Sequence, residues 1–314
     1  MVKIVGANGK EITAKTGSAI LPAAWIKMSN PDGAELSLVA KGAQLPEECL
    51  RQAVAEDMVP QAVVGENVLL VIVHVPARRS GDLYDIIPLS IVLTDSHIIT
   101  VCREDTEVLA VAGADGGFSP DRRSRLFLEI LHATDKLFLK HIRHIERRIN
   151  ETETMLRHSL ENEELFQMLD LQKGLTHFTV ALKNNGLVLE SLLRARSSQR
   201  LQRVLEIYRE EEDVFESVII ENKRALQLAE TYCEITGGMM DAFSSVIAHN
   251  LNRVIKLLAS ITVLIAVPTA VSSFWSMSLP VPWRGTDGGF WYVLLLSLVI
   301  TLTGWRLLKK KKLF

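Results

Sequence analysis

The chain has 314 residues, with 35 basic and 37 acidic side chains and a formal net charge of −2. This near balance argues against a general nucleic-acid binder, for which a basic excess would be expected, so no nucleic-acid partner is predicted. The three cysteines, Cys49, Cys102 and Cys233, are too few and too scattered for a disulfide framework or a CxxC metal site. The soluble part of the chain therefore suits a reducing cytosol.

Residues 1–118 are predicted to form an α+β cytoplasmic domain. Val68–Val75 is a short β-branched run that a proline ends, which is typical of a buried strand. Ile86–Leu93 and His97–Cys102 are two further strand-like runs, and the three polar residues between them predict a hairpin. Leu45–Met58 is predicted to be helical, because a proline lies near its start and two glutamates occupy its first turn.

The character of the sequence changes after a linker at Gly113–Pro120. The Ser-Pro pair that ends this linker supplies an N-cap and a proline at the first helical position, which together favour a helix start. The stretch Asp121–Trp275 is rich in Leu, Glu and Arg and contains a single proline. Residues 119–252 are therefore predicted to form long stalk helices or a helical bundle.

Breaks between these helices are predicted near His158–Asn162 and Ser197–Ser198, with a possible third at Asn184–Gly186. The last helix is expected to run from about Gln199 into a membrane, since its apolar residues keep a spacing of three and four over many turns. Gly237–Gly238 lies within it and suits either a hinge or close packing against another helix.

Two apolar stretches near the end of the chain predict a membrane hairpin. Leu257–Trp275 has 19 residues without a formal charge, and Phe290–Leu308 carries only one charge, near its end. A helix of ~20 apolar residues crosses the ~30 Å hydrocarbon core of a bilayer. The predicted boundaries are 253–275 for the first span, 276–289 for an extracytoplasmic loop, 290–308 for the second span and 309–314 for a basic cytoplasmic tail.

The positive charges predict how this hairpin is oriented. Lys309–Lys312 follow the second span directly, and Arg253 and Lys256 flank the start of the first, whereas the loop holds only Arg284 and Asp287. By the positive-inside rule both termini lie in the cytoplasm, as in a multi-pass protein of a cell (inner) membrane. The lysine run is either this orientation signal alone or, in addition, a site for lipid.

One face of the first span is mostly small or hydroxylic. Followed at steps of three and four residues, it reads Ile255, Ala259, Thr262, Ala266, Thr269 and Ser273. Asp241 and Asn252 stand on the same face before the membrane, and carboxylate and amide oxygens are ligands that hard divalent cations prefer. Such a stripe either packs closely against another helix or lines a water-filled path among several copies. The second interpretation requires an oligomer, because one hairpin cannot enclose a channel.

Two other groups of side chains were weighed as metal ligands. His141 and His144 share a helix face and suit either a soft metal or an ordinary surface. Glu212, Asp213 and Glu216 belong to an acidic cluster that is either a regulatory metal site or a solvated face. The chain contains no GxxxxGK[ST], GxSxG or HExxH motif, so no enzyme activity, catalytic residue or organic cofactor is predicted.

The chain resembles the CorA family of divalent-cation transporters over nearly its whole length. The resemblance is carried by Tyr84–Cys102, by the long helical region, by Asn252–Trp275 and by the terminal KKKKLF. It implies a funnel-shaped homopentamer, in a bacterial membrane, whose first span lines a pore for Mg²⁺, Co²⁺, Ni²⁺ or Zn²⁺. By position, the family's pore-lining residues fall on Asn252, Ile255, Leu258, Ala266 and Thr269, and an acidic residue at the cytoplasmic mouth falls on Asp241.

The chain departs from the family at the end of the first span. CorA proteins carry Gly-Met-Asn there, and this chain has Ser276, Met277 and Ser278. A ring of serine hydroxyls would still accept hydrogen bonds from a hydrated ion, but its field is weaker than that of an amide ring. The relative ZntB also has a changed motif and transports zinc. Two functions therefore remain: divalent-cation transport, or a non-conducting cation sensor or scaffold built on the same fold.

Overall fold

The structure is a computed structural model that describes residues 2–6, 11–13, 24–55, 58–79, 81–112, 122–158, 162–195, 198–205, 209–277 and 288–310. The chain divides into two compact units, Met1–Met239 and Met240–Phe314. The first holds a mixed sheet and several helices, and the second holds two long apolar helical segments. The predicted combination of an α+β domain, long helices and two C-terminal apolar helices is confirmed.

A seven-stranded sheet forms the centre of the first unit, in the order β2-β1-β3-β7-β6-β5-β4. Its strands are β1 (Val2–Val5), β2 (Glu11–Thr13), β3 (Trp25–Ser29), β4 (Gln61–Val64), β5 (Val68–Arg78), β6 (Tyr84–Thr94) and β7 (Ile98–Cys102). Strands β3 and β7 are parallel, and every other neighbouring pair is antiparallel. The predicted hairpin is confirmed, since β6 and β7 pair with Leu93 opposite Ile98.

Eight helices accompany the described strands. They are α1 (Gly33–Gly42), α2 (Glu47–Gln52), α3 (Glu107–Ala112), α4 (Arg123–His158), α5 (Asn162–Ala195), α6 (Gln199–Val204), α7 (Arg209–Ser276) and α8 (Gly289–Lys310). The two expected breaks, between α4 and α5 and after α5, are confirmed. Helix α5 runs without interruption through Asn184–Gly186, so the possible third break does not occur. The expected single helix from about Gln199 is two helices, α6 and α7. The predicted Gly113–Pro120 linker lies outside the described residues, which stop at the end of α3, Ala112, and resume at residue 122.

The sheet is buried on both faces, which explains the continuous apolar runs in its central strands. Along β5, Leu69, Val71 and Val73 belong to a core shared with the long helices. Leu70 and Ile72 point to the other face, where they join the core under α1 and α2. Residues on a strand alternate between faces, so each face takes every second side chain.

The sequence predicts that the strand is ended by Pro76. In the structure, strand β5 continues through Pro76 to Arg78. Strand β4 reaches only as far as Ile72 along β5, and beyond that point the Asn185 side chain takes its place. The Asn185 amide accepts a hydrogen bond from His74 N at 2.9 Å and donates one to His74 O at 2.8 Å. Pro76 lies two residues further on the same edge, where no strand requires its missing N–H.

Helix α2 is also shorter than predicted. The sequence predicts a helix over Leu45–Met58, and the structure has one over Glu47–Gln52. After the end of α2, side chains from distant parts of the chain donate hydrogen bonds to backbone carbonyls that a further helical turn would otherwise use. Ser90 Oγ donates to the Ala53 carbonyl at 3.0 Å, and Arg103 Nη2 donates to the Val54 carbonyl at 3.2 Å. The carbonyls that a longer helix would have satisfied are thus already paired.

The two histidines weighed as metal ligands lie instead against the sheet. His141 is buried, with its ring centroid 5.7 Å from that of Tyr84 and 6.3 Å from that of Phe178. His144 Nδ1 lies 2.5 Å from the Tyr84 hydroxyl oxygen. Helix α5 approaches the same tyrosine so closely that a Cβ on Gly174 would stand 2.8 Å from Tyr84 Cβ. His141 is thus a packing residue of the core, and His144 is half-buried beside it. Neither belongs to a group of three or more potential metal ligands in the described part of the chain.

Burial makes the stability of this core dependent on pH. Burial lowers the pKa of His141 from 6.5 to about 4, so the folded protein favours the neutral imidazole. Its contribution to stability is complete above pH 6.5 and is lost as the pH falls towards 4. The loss is on the order of 2–3 kcal/mol of unfolding free energy.

We predict that His141→Gln flattens this acid dependence in a thermal unfolding series of the detergent-solubilised protein from pH 7.5 to pH 4.5. Burial raises the pKa of Asp135, which acts with the opposite sign, so the difference between variant and wild type is the quantity to follow. His249→Gln, a change at an exposed histidine, is the matched control. Equal slopes for wild type and His141→Gln would contradict the assignment.

Candidate ion path along helix α7

Two described helices are long and apolar enough to cross a membrane, namely the C-terminal part of α7 and helix α8. Within one chain, almost none of their most apolar windows is buried. Exposed large side chains include Ile255, Leu258 and Ile265 on α7, and Leu295 and Leu298 on α8. This amount of apolar surface requires lipid or further copies of the chain to cover it.

Each of these helices has one row of positions with reduced exposure. On α7 the row is Ser260, Leu264, Val267, Pro268, Val271 and Trp275. On α8 it is Gly289, Val293, Ser297, Thr301, Gly304 and Leu308. Steps of three and four residues keep a row on one side of a helix, which is the pattern that two helices packed side by side produce. We infer from this pattern that the two rows face each other in the hairpin, and the row on α8 consists largely of small residues.

The predicted polar stripe lies on the other side of α7. Its members are all exposed: Asn252, Ile255, Ala259, Thr262, Ala266, Thr269 and Ser273. At ~100° of rotation per residue, the middle of this stripe is roughly opposite the middle of the covered row. The stripe is therefore not the packing face between the two spans. Leu258 is also exposed, at the edge of the stripe.

The threonines of the stripe present acceptor oxygens. Thr262 Oγ1 donates its hydrogen to the Leu258 carbonyl at 2.9 Å, and Thr269 Oγ1 donates to the Ile265 carbonyl at 3.0 Å. A hydroxyl that uses its hydrogen in this way keeps its lone pairs free. Such oxygens can accept hydrogen bonds from the water shell of a cation.

The approach to the stripe carries one carboxylate and one amide. Asp241 and Asn252 are exposed and lie 11 residues apart on α7, which is about 20° from a whole number of turns. Both side chains thus belong to the same face. A carboxylate at this position attracts cations towards the polar stripe and repels anions.

At the other end of the path, helix α7 finishes at Ser276, and Met277 follows with 44% of its surface exposed. Ser278 and the loop up to residue 287 lie outside the described residues. The hydroxyl ring expected at Ser278 therefore stays a prediction.

The described carboxylates of the acidic cluster on α7 are spread between half-buried and exposed positions. Glu212 is half-buried, whereas Asp213 and Glu216 are exposed. Among the described residues, no group of three or more His, Cys, Asp and Glu side chains is placed to hold a metal ion. A regulatory site that uses these carboxylates would need a second chain, and it stays a prediction.

Gly237 favours close packing over a hinge. Helix α7 is continuous through it, and a Cβ at this position would stand 3.2 Å from Gln172 Nε2 of α5. Gly238 has open space around it.

A buried polar contact between α4 and α7 was not predicted from the sequence. Asn222 Nδ2 donates to Asp135 Oδ1 at 3.1 Å, and His132 Nδ1 lies 3.0 Å from Glu221 Oε2 nearby. Burial raises the pKa of Asp135 well above its ordinary value, because the Asn222 hydrogen bond only partly offsets the loss of water. The signal was in the sequence, since Asp135 occupies a core position in an apolar repeat with Leu131, Phe138 and Ile142.

Comparisons with known proteins identify the family of the chain. The family model described as "CorA-like Mg2+ transporter protein" matches residues 23–310. The cobalt/magnesium transport protein CorA of Methanocaldococcus jannaschii is 22% identical over 289 residues, which cover 88% of this chain and 87% of that protein.

Three solved structures are similar in fold. The complete structure of the M. jannaschii CorA magnesium transporter has a TM-score of 0.82 at 20% identity and covers 98% of this chain and 97% of its own. Full-length CmaX has a TM-score of 0.72 at 17% identity, with 98% and 96% covered. The ZntB cytoplasmic domain of Vibrio parahaemolyticus has a TM-score of 0.60 at 13% identity, with 80% and 97% covered. The family match spans most of the sequence, and the chain belongs to the CorA-like family of transporter proteins.

Proposed function

We propose that the protein conducts divalent cations across a membrane, through a path that the polar stripe of α7 lines at the centre of a homopentamer. The observation that carries this proposal is the position of the stripe, which is exposed and lies roughly opposite the covered row of α7. A single hairpin cannot surround an ion, so the path needs several copies around an axis. The number five comes from the resemblance to the CorA family.

The order of side chains along α7 suggests how an ion would pass. Asp241 would raise the local cation concentration at the cytoplasmic mouth. The Asn252 amide oxygen would then receive the hydrated ion. Ile255 and Leu258 follow as apolar rings, which are the kind of constriction that gates by dewetting. Beyond them, the acceptor oxygens of Thr262 and Thr269 would again accept hydrogen bonds from its water shell.

The identity of the ion depends on the mouth of the path. Mg²⁺ holds its water tightly and would pass a mouth ring as a hydrated ion, through outer-sphere hydrogen bonds alone. A serine ring in place of the family's asparagine ring would weaken those bonds. Zn²⁺, Co²⁺ and Ni²⁺ bind softer ligands more readily and depend less on such a ring. We therefore propose a shift from Mg²⁺ towards these transition metals, with the metal as the transported ion and, at Glu212, Asp213 and Glu216 between subunits, as a regulator.

The proposed setting is a bacterial inner membrane with both termini in the cytoplasm. The support is the excess of lysine and arginine at one end of the hairpin. The relatives whose names describe transport are a cobalt/magnesium transport protein and a magnesium transporter.

A second function is favoured by one observation, the replacement of the family's Gly-Met-Asn motif by Ser276, Met277 and Ser278. A pentamer without a selective mouth would serve as a non-conducting sensor of divalent cations or as a scaffold for partners. Flux into proteoliposomes separates this function from transport, because a sensor binds cations without moving them.

We predict that purified protein in proteoliposomes admits at least one of Mg²⁺, Co²⁺, Ni²⁺ and Zn²⁺, and that Asn252→Leu lowers this flux roughly tenfold. An apolar ring at the entrance of the stripe would favour dewetting. Asn250→Leu is the matched control, because Asn250 is equally exposed but lies ~200° around the helix from Asn252. The oligomer should be intact by mass measurement in both variants. Unchanged flux in Asn252→Leu would remove this residue from the path.

We further predict that Ser276→Gly combined with Ser278→Asn raises Mg²⁺ flux relative to Zn²⁺ flux severalfold, because it restores an amide acceptor at the mouth. Ser276→Gly alone serves as the control for backbone effects. The measurement is the ratio of the two fluxes in the same vesicle preparation. If the ratio stays the same, selectivity is set deeper in the path, near Asn252 or Asp241.

A further inference from the structure

We propose that the cytoplasmic end of the α7–α8 hairpin binds the phosphate headgroups of anionic phospholipids through a basic cluster. The cluster consists of Arg253 and Lys256 on α7, Arg306, Lys309 and Lys310 on α8, and the ring of Trp305. The inference rests on the proposed membrane orientation. It does not depend on which ion moves, or on whether any ion does.

The first observation is that these positive charges are uncompensated. All five basic side chains are exposed, and none has an ion-pair partner in the described part of the chain. The sequence from Met240 to Phe314 contains only two acidic residues, Asp241 and Asp287. Asp241 precedes Arg253 by more than three helical turns, which is ~18 Å along the axis. Three exposed arginines of the first unit differ in this respect, since Arg51, Arg125 and Arg157 each pair with a carboxylate one turn away.

The second observation is that the five charges flank the two apolar segments, at the beginning of the first and at the end of the second. Arg253 and Lys256 continue the covered row of α7 beyond Ser260, and Lys309 directly follows Leu308 of the α8 row. In the proposed membrane hairpin the two helices run in opposite directions, so the beginning of the first apolar segment and the end of α8 would lie at the same level. Arg306 and Lys310 lie on the side of α8 away from its covered row, where lipid would meet the helix.

The third observation is the aromatic side chain within this cluster. Trp305 is 42% exposed, and Lys309 Nζ lies 5.4 Å from its ring centroid. Tryptophan is enriched at membrane–water interfaces, where its apolar ring and N–H group meet their preferred surroundings. The cation–π contact keeps the ammonium group at the depth of the headgroups.

The chemistry of the cluster suits a lipid rather than free phosphate. Guanidinium and ammonium groups bind phosphate oxygens with charge-assisted hydrogen bonds. Lys and Arg clusters just cytoplasmic of a membrane helix are the pattern that attracts anionic lipid. Leu302 and Leu307, 48% and 59% exposed, lie beside the charges and would contact the acyl chains of the same molecule.

The test uses the full-length oligomer, delipidated and then mixed with phosphatidylglycerol or phosphatidylcholine, with bound lipid counted by native mass spectrometry. We expect wild type to retain phosphatidylglycerol at least fivefold better than phosphatidylcholine, and Arg306→Gln/Lys310→Gln to lose at least threefold of that preference. Arg200→Gln/Arg203→Gln, at exposed residues of α6, removes the same charge elsewhere and should bind like wild type.

A second arm compares the rise in unfolding temperature caused by phosphatidylglycerol with that caused by inorganic phosphate at equal phosphate concentration. Only the lipid should stabilise wild type. Equal binding of the two lipids, equal loss in the α6 control, or equal stabilisation by inorganic phosphate would each overturn the proposal. If the double variant does not assemble, Lys310→Gln alone is compared with Arg203→Gln by the same criteria. Because binding is read without ion flux, failure of this inference and failure of the transport proposal are distinguishable.

Discussion

The constraint on which this structure depends is that a membrane helix with a polar face must hide that face from hydrocarbon. Helix α7 carries such a face, and the row of reduced exposure on α7 lies roughly opposite it. The hairpin alone therefore leaves the Asn252 amide and the Thr262 and Thr269 oxygens exposed. Their partners must come from water, from other copies of the chain, or from both.

The hydroxyl hydrogen bonds refine this constraint. Thr262 and Thr269 donate to carbonyls of their own helix, which lowers the cost of placing them in a membrane. A helix that only had to pass through lipid would gain nothing further from a row of oxygens. The proposed aqueous path would gain acceptors for the water around a cation, and the carboxylate at Asp241 would repel anions. Such a path would favour cations before any selectivity at the proposed mouth is considered.

The soluble unit illustrates the same need to pair polar groups where the fold removes them from water. Asn185 pairs with the edge of β5 where β4 has ended, and Asn222 reaches Asp135 in the contact between α4 and α7. Asparagine suits both positions because one side chain both donates and accepts. These contacts fix the positions of α5 and α7 against their neighbours within the first unit.

Much of this fold could be predicted from the sequence, and the errors have physical causes. Two long stretches almost without charge predicted the two apolar helices, and a gap of three polar residues predicted the β6–β7 hairpin. Both signals are local in the sequence. Pro76 was misjudged because its tolerance depends on where β4 stops, and α2 was overextended because Ser90 and Arg103 complete its end from distant positions.

The spacing of its residues predicted the polar stripe, but it did not decide between helix packing and an ion path. That choice depends on which side of α7 is covered, and the exposure along α7 shows the covered row roughly opposite the stripe. Asp135 was overlooked because a lone aspartate in an apolar repeat gives no indication of its partner. The proposed mouth at Ser278 lies outside the described residues and stays a prediction from the sequence.

The most direct test of the account is the accessibility of single cysteines along α7 in the reconstituted oligomer, with Cys49, Cys102 and Cys233 replaced by serine. Cysteine at Ala259 or Thr262, on the stripe, should react with a water-soluble thiol reagent that blocks cation flux. Cysteine at Ile261, which is exposed in one chain but lies roughly 130° around the helix from the middle of the stripe, should be protected by lipid or by a neighbouring subunit and leave flux unchanged. Equal reactivity at Thr262 and Ile261, or reaction at Thr262 without block, would contradict a path lined by this face.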